Sequence, residues 1–174
     1  AVLAVKVGDA VKVGTLIGES GAGLSSPVYS SVSGTVKKID EIIAIAGNHV
    51  PTVVIESDGE QTIDENISPY EVNTKEAFLE ALRKSGIVGL GGAGFPVSVK
   101  LDALKKGKID KIILNGAECE PYITADDSLL RSNPEQVLKG MQLMQRVLKP
   151  DHVVLAVEDN KQEAVFTLRK LIRK

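Results

Sequence analysis

A chain of 174 residues, 43% hydrophobic and 25% charged, has an ordinary globular composition and enough length for one good domain or two small ones. With 3% aromatic residues, no Trp, and 21 Lys+Arg against 23 Asp+Glu, it lacks the stacking surfaces and the positive charge that nucleic-acid binding needs. Its one cysteine, Cys119, excludes an intrachain disulfide and any cluster site built from several cysteines of these residues. Apolar runs such as Ile42-Ile43-Ala44-Ile45-Ala46 fall far short of the ~20 residues that span a bilayer, and no signal-peptide pattern is visible. The opening Ala1-Val2-Leu3-Ala4-Val5, with no Met, reads as the inside of a strand, so the chain is expected to be a piece of something longer.

Residues 1–66 read as β. Short runs rich in β-branched residues end at turn signals: Val5-Lys6-Val7 before Gly8-Asp9, Val11-Lys12-Val13 before Gly14, and Leu16-Ile17 before Gly18. Val28 to Val32, Thr35 to Ile39 and Val53-Val54-Ile55 follow, stopped by Ser33-Gly34, Asp40 and Asp58-Gly59. Many short strands with such turns predict a small sandwich or barrel. His49 falls in a turn and has no assigned role.

From residue 67 the texture changes. Thr74 can cap a helix over Lys75 to Ser85 with Ala77, Phe78, Ala81 and Leu82 on one face and Gly86 as its stop. A glycine-rich stretch precedes a strand Lys111 to Leu114, a helix from Pro134 to about Leu148, a buried strand Val153 to Val157 and an amphipathic helix Asn160 to Arg173. This order predicts a parallel sheet with helical crossovers, one part of a doubly wound α/β domain. The fold class is therefore mixed: a small β-module over 1–66 and an α/β unit over 67–174.

The β-module resembles biotinyl/lipoyl carrier domains, a barrel-sandwich hybrid, through Val5-Lys6-Val7-Gly8-Asp9 to Glu19 and Pro27-Val28-Tyr29-Ser30-Ser31-Val32-Ser33-Gly34-Thr35-Val36. Carriers present a lysine where the two halves meet. The stretch Glu19 to Ser30 has none, so a swinging-arm role is rejected in favour of a structural or docking module.

Two loops carry the candidate chemistry. Gly89-Leu90-Gly91-Gly92-Ala93-Gly94-Phe95-Pro96 contains G-x-G-x-x-G, but after a helix instead of a clear strand, and no Gly-Lys-Ser/Thr follows for a P-loop. Dense glycine still lets a backbone approach a phosphate, Pro96 suits the start of a helix, and Lys100 adds a cation four residues on. A plain glycine turn between helices is the competing interpretation. Asn115-Gly116-Ala117-Glu118-Cys119-Glu120-Pro121-Tyr122 follows the strand ending at Leu114, at the strand's carboxyl end, where ligands bind open α/β sheets. Its two carboxylates can accept hydrogen bonds from a nucleotide's hydroxyls, or form an acidic solvated turn. Cys119 lies between two carboxylates, which oppose a nucleophilic thiolate.

Together, Gly86 to Pro96, Lys100-Leu101 and Asn115 to Asp127, with the β-module in front, closely resemble the RnfC family, the C subunits of Rnf electron transport complexes. A more distant relative is the FMN- and NADH-binding subunit of respiratory complex I. The resemblance implies FMN on the glycine loop near Gly89, Gly91, Gly92 and Gly94, with Lys100, Asn115 and Glu118 contacting it. It implies NADH beside Phe95 and Glu120. Relative to complex I, Leu90 replaces an Arg and Ala117 an Asp, and the lost cation weakens phosphate binding. The family's 4Fe-4S cysteine motifs would lie beyond these residues.

The implied role is a fragment of a subunit that oxidises NADH through FMN and passes electrons to iron–sulfur clusters. That subunit would be bound to other subunits on the cytoplasmic, inner face of a membrane. As a fragment it is expected to bind FMN weakly or not at all, because later strands would complete the site. A soluble RnfC-like protein serving a reductase such as proline reductase, and a non-catalytic docking piece, are the alternatives.

Overall fold

The structure, a computed structural model, describes residues 1–44, 47–90, 94–102 and 109–173. It divides into two compact units, Ala1–Ala103 and Leu104–Lys174. Small sheets and helices make it a mixed α/β chain.

The first unit opens with β1 (Val2–Leu3), β2 (Ala10–Val11), β3 (Leu16–Glu19), β4 (Val28–Tyr29), β5 (Gly34–Ile43) and β6 (His49–Ser57). They form two antiparallel three-stranded sheets, ordered β1-β3-β4 and β2-β5-β6. Val11 and Val36 are buried between the strands. Two buried serines are satisfied internally: Ser33 Oγ donates to Asp58 Oδ1 (2.6 Å) and accepts from Thr62 N (3.0 Å), while Ser30 Oγ donates to Val32 O (2.7 Å).

Strand lengths depart from the expected pattern of many short runs. Val5-Lys6-Val7 is not a strand; it leads into a turn where Asp9 accepts from Lys6 N (3.0 Å) and Gly8 N donates to Val36 O (2.8 Å). Pairing instead starts at Val2. Only Val28–Tyr29 of the expected Val28 to Val32 pairs. The runs at Thr35 and Val53 are the centres of one long hairpin, β5–β6, which passes straight through Asp40. Pro51 sits within β6, tolerated because β6 is an edge strand. His49 is the first residue of β6, its Nδ1 3.4 Å from Glu41 Oε2, and not a turn residue.

The same unit includes α1 (Lys75–Ser85) and α2 (Val97–Asp102). α1 begins and ends at the expected residues for local reasons. Thr74 Oγ1 accepts from Ala77 N (3.1 Å), and Gly86 takes the left-handed φ of 72° that ends the helix. Phe78, Leu79 and Ala81 are its buried face. Arg83 clasps Glu80 (2.8 Å) and, on α2, Asp102 (2.9 Å), so a guanidinium fork ties the two helices.

The second unit contains β7 (Lys111–Gly116), α3 (Ala125–Ser132), α4 (Pro134–Leu148), β8 (His152–Val157) and α5 (Gln162–Ile172). β7 and β8 pair in parallel from Lys111↔His152 to Gly116↔Val157. Leu130, Ala164 and Leu168 form the core, with Val137, Leu138, Leu155 and Val157 packed around it. α4 starts and stops where Pro134 and the periodicity place it. α3 was not expected, and β7 runs two residues past Leu114.

Candidate functional site

The glycine loop is built by closure. Past Gly86, Val88 and Pro96 form an antiparallel bridge, Gly89 N donates to Phe95 O (2.9 Å) and Val97 N donates to Ile87 O (3.1 Å). These bonds pinch residues 87–89 against 95–97 as a narrow neck. Gly94 has φ +60° and open space where a Cβ would stand; Gly89 meets only Phe95 O, at 3.8 Å. Leu90 is 92% exposed and Phe95 partly exposed. Pro96 is buried at the threshold of α2, with Val99 N and Lys100 N both donating to its carbonyl (3.1 and 3.2 Å). Lys100 is exposed in the last turn of that short helix. Gly91 and Gly92 lie outside the described residues.

The backbone around this neck fits a phosphate-bearing group: bare glycine at Gly94, a cation on the helix that follows, and no carboxylate from residue 86 to residue 101. One amide is already used, since Gly89 N–H is spent on Phe95 O.

The acidic loop belongs to the second unit. Asn115 and Gly116 are the last residues of β7, paired with Ala156 and Val157, so the loop starts at Ala117. Gly116, placed by the sequence just past the strand, lies within it as a close-approach glycine: a Cβ there would stand 3.1 Å from both Ala156 O and Leu130 Cδ1. Asn115 Oδ1 accepts from Ala117 N (3.1 Å) and shapes the exit from the strand.

The two glutamates part company. Glu118 is 8% exposed, and its carboxylate accepts from Asp126 N (2.9 Å) and Asp127 N (3.5 Å) in the first turn of α3. Glu120 is exposed, its carbonyl accepting from Ile123 N (3.3 Å) in a tight turn. Tyr122, inside that turn, has φ +67° and is fully exposed. Cys119 is exposed as well. Glu118 and Glu120 therefore share the loop and Asn115 stands at the end of the strand that leads into it, but only Asn115 and Glu120 present exposed side chains. Sequence reasoning missed α3. Thr124-Ala125-Asp126-Asp127, a capping residue before an acidic first turn, was the available signal.

Residues 82–174, more than half of the chain, match the family model described as the Nuo51 FMN-binding domain. Residues 1–60 match the RnfC barrel sandwich hybrid domain. The chain belongs to the RnfC family, with a Nuo51 FMN-binding domain. Among its relatives is the C subunit of the Na(+)-translocating ferredoxin:NAD(+) oxidoreductase complex of Acetobacterium woodii, 44% identical over 171 residues, covering 97% of this chain and 39% of the relative. The C subunit of the proton-translocating ferredoxin:NAD(+) oxidoreductase complex of Clostridium ljungdahlii is 41% identical over 170 residues, covering 95% and 37%. The C subunit of the ion-translocating oxidoreductase complex of Haemophilus influenzae (strain PittEE) is 37% identical over 175 residues, covering 98% and 27%. The chain thus spans well under half the length of these RnfC relatives. Among the described residues no helix is long and apolar enough to cross a membrane.

Proposed function

We propose that this chain supplies the FMN-binding part of an Rnf-type subunit that oxidises NADH and passes electrons onward within a membrane-associated complex. The match of residues 82–174 to an FMN-binding domain model carries this proposal, and the two loops fall inside that match. In this view residues 1–66 form a barrel-sandwich module and 67–174 the first part of a Rossmann-like domain. FMN lies along Gly89, Gly91, Gly92 and Gly94, with Lys100 offsetting phosphate charge and Asn115 on the flavin side of the acidic loop that Glu118 shapes. Phe95 offers an apolar surface, and Glu120 an acceptor for ribose hydroxyls, on the NADH side.

Bound FMN supplies the capacity to accept a hydride and release its electrons singly, and the protein supplies orientation and charge. A single cysteine cannot ligate a 4Fe-4S cluster, so electrons would leave toward clusters held by other residues than these. Other subunits of the complex are the expected partners, on the inner membrane face.

The test is titration of FMN into the flavin-free full-length subunit, followed by flavin fluorescence, then NADH addition followed at the flavin's visible absorbance. Binding with bleaching by NADH is expected, and Lys100→Ala and Asn115→Ala should each weaken FMN binding. Loss of one charge-assisted bond corresponds to roughly ten-fold or more. No FMN binding by the unsubstituted full-length subunit at tens of micromolar, or indifference to both substitutions, would overturn the assignment.

A further inference from the structure

α3 has eight residues and an ordinary capping candidate, Thr124, immediately before it, yet Thr124 makes no side-chain capping bond. The work is done from eight residues upstream. Glu118, buried to 8% exposure, turns both carboxylate oxygens onto the amides of Asp126 and Asp127. A charged acceptor at a helix N-terminus gains from both the free N–H groups and the helix dipole, even with Asp126 and Asp127 nearby. The bond also closes residues 118–126 into a ring of chain. Within that ring the Glu120–Ile123 turn and the left-handed Tyr122 fix how Glu120 is displayed.

Building on the NADH assignment above, we propose that Glu118 is a positioning residue. Its carboxylate tethers the acidic loop to the first turn of α3 and thereby holds Glu120 in place.

Three variants of the intact protein test this: Glu118→Gln, Glu118→Ala and Glu118→Ala combined with Glu120→Ala, beside Glu120→Ala itself. The first readout needs no nucleotide. Exchange of the Asp126 and Asp127 amides should quicken by about 5- to 30-fold in Glu118→Ala, and less in Glu118→Gln, which keeps one acceptor oxygen. Unchanged exchange at both amides would overturn the tether. The second readout is a double-mutant cycle on NADH affinity. If Glu118 acts through Glu120, the double variant binds NADH no more weakly than Glu120→Ala. Losses that simply add would show that Glu118 acts independently of Glu120 and would overturn the positioning role. Failure of the unsubstituted protein to bind NADH would refute the functional assignment and not the tether, which the exchange rates decide separately.

Discussion

Gly34 is the position where a single methyl group should do most damage to the β-module. It opens β5 at φ +153°, paired with Val11 of β2 on one side and Ser57 of β6 on the other. An alanine Cβ there would lie 2.0 Å from Glu56 O and 2.9 Å from Glu56 C and Ser57 Cα. All three are backbone atoms of a paired strand, so no side chain can swing aside. The φ angle alone costs about 1–3 kcal/mol for a residue with a Cβ. Pushing β6 away forfeits one or two ladder bonds at about 1 kcal/mol each, for a total of roughly 2–5 kcal/mol. That is a large share of a marginal domain's ~5–15 kcal/mol. Gly8→Ala is the matched control, since Gly8 also has positive φ (+93°) but nothing within 4 Å of the added methyl. Its cost should be about 1–2 kcal/mol. Urea denaturation read by circular dichroism, with exchange of β5 and β6 amides to localise the effect, separates the two. A Gly34→Ala variant no less stable than Gly8→Ala would refute the argument that the strand crossing is closed to a Cβ.

Leu168→Ala should cost about 2–5 kcal/mol at the α5 core, read as faster exchange of α5 amides, because Leu168 is 3% exposed against Leu130 and Ala164. Thr74→Ala should cost about 1 kcal/mol by removing the acceptor for Ala77 N, and Thr74→Asn should restore most of it. The β-module should weaken in acid. Asp64 has its carboxyl lowered below the ordinary range, first by the Thr15 hydroxyl and then by the backbone and side-chain amides of Asn66; Asp58 is lowered likewise by Ser33 and Glu60 N. A lowered folded-state pKa stabilises above the unfolded value near pH ~4, and that stability is lost as pH falls through the folded value. Asp64→Asn should therefore flatten the acid limb of a stability–pH curve, and an unchanged limb would count against the Thr15–Asp64 bond.

What the sequence made legible is what punctuation between neighbours decides. α1 lies between Thr74 and Gly86, and α4 starts at Pro134, because capping and φ preferences act over three or four residues. The β-module's turns were readable from Gly and Asp, but not its strand lengths. Asp40 and Pro51 look like stops until β5 and β6 are seen paired across them, and that pairing is set by residues far apart in sequence. The glycine loop was conspicuous by composition. Its neck, made by Gly89 N and Phe95 O across six residues, leaves no trace in residue type.

The acidic loop shows how much farther parity can go than motif. Along β7 the inward positions are Ile112, Leu114 and Gly116, with Lys111, Ile113 and Asn115 outward. Gly116 marks the inward side by its approach to Leu130 of α3. Continued two residues past the strand, the same alternation brings Glu118 to the helix side, where free N–H groups at the start of α3 are the acceptor's natural partners. Ala117 falls outward with Asn115 and is exposed. Glu120 would be inward by the same count, but the Glu120–Ile123 turn and the left-handed Tyr122 break the alternation and leave it exposed. Two carboxylates one residue apart look equivalent as a motif; the strand's period brings the first to the start of α3, and the turn leaves the second exposed.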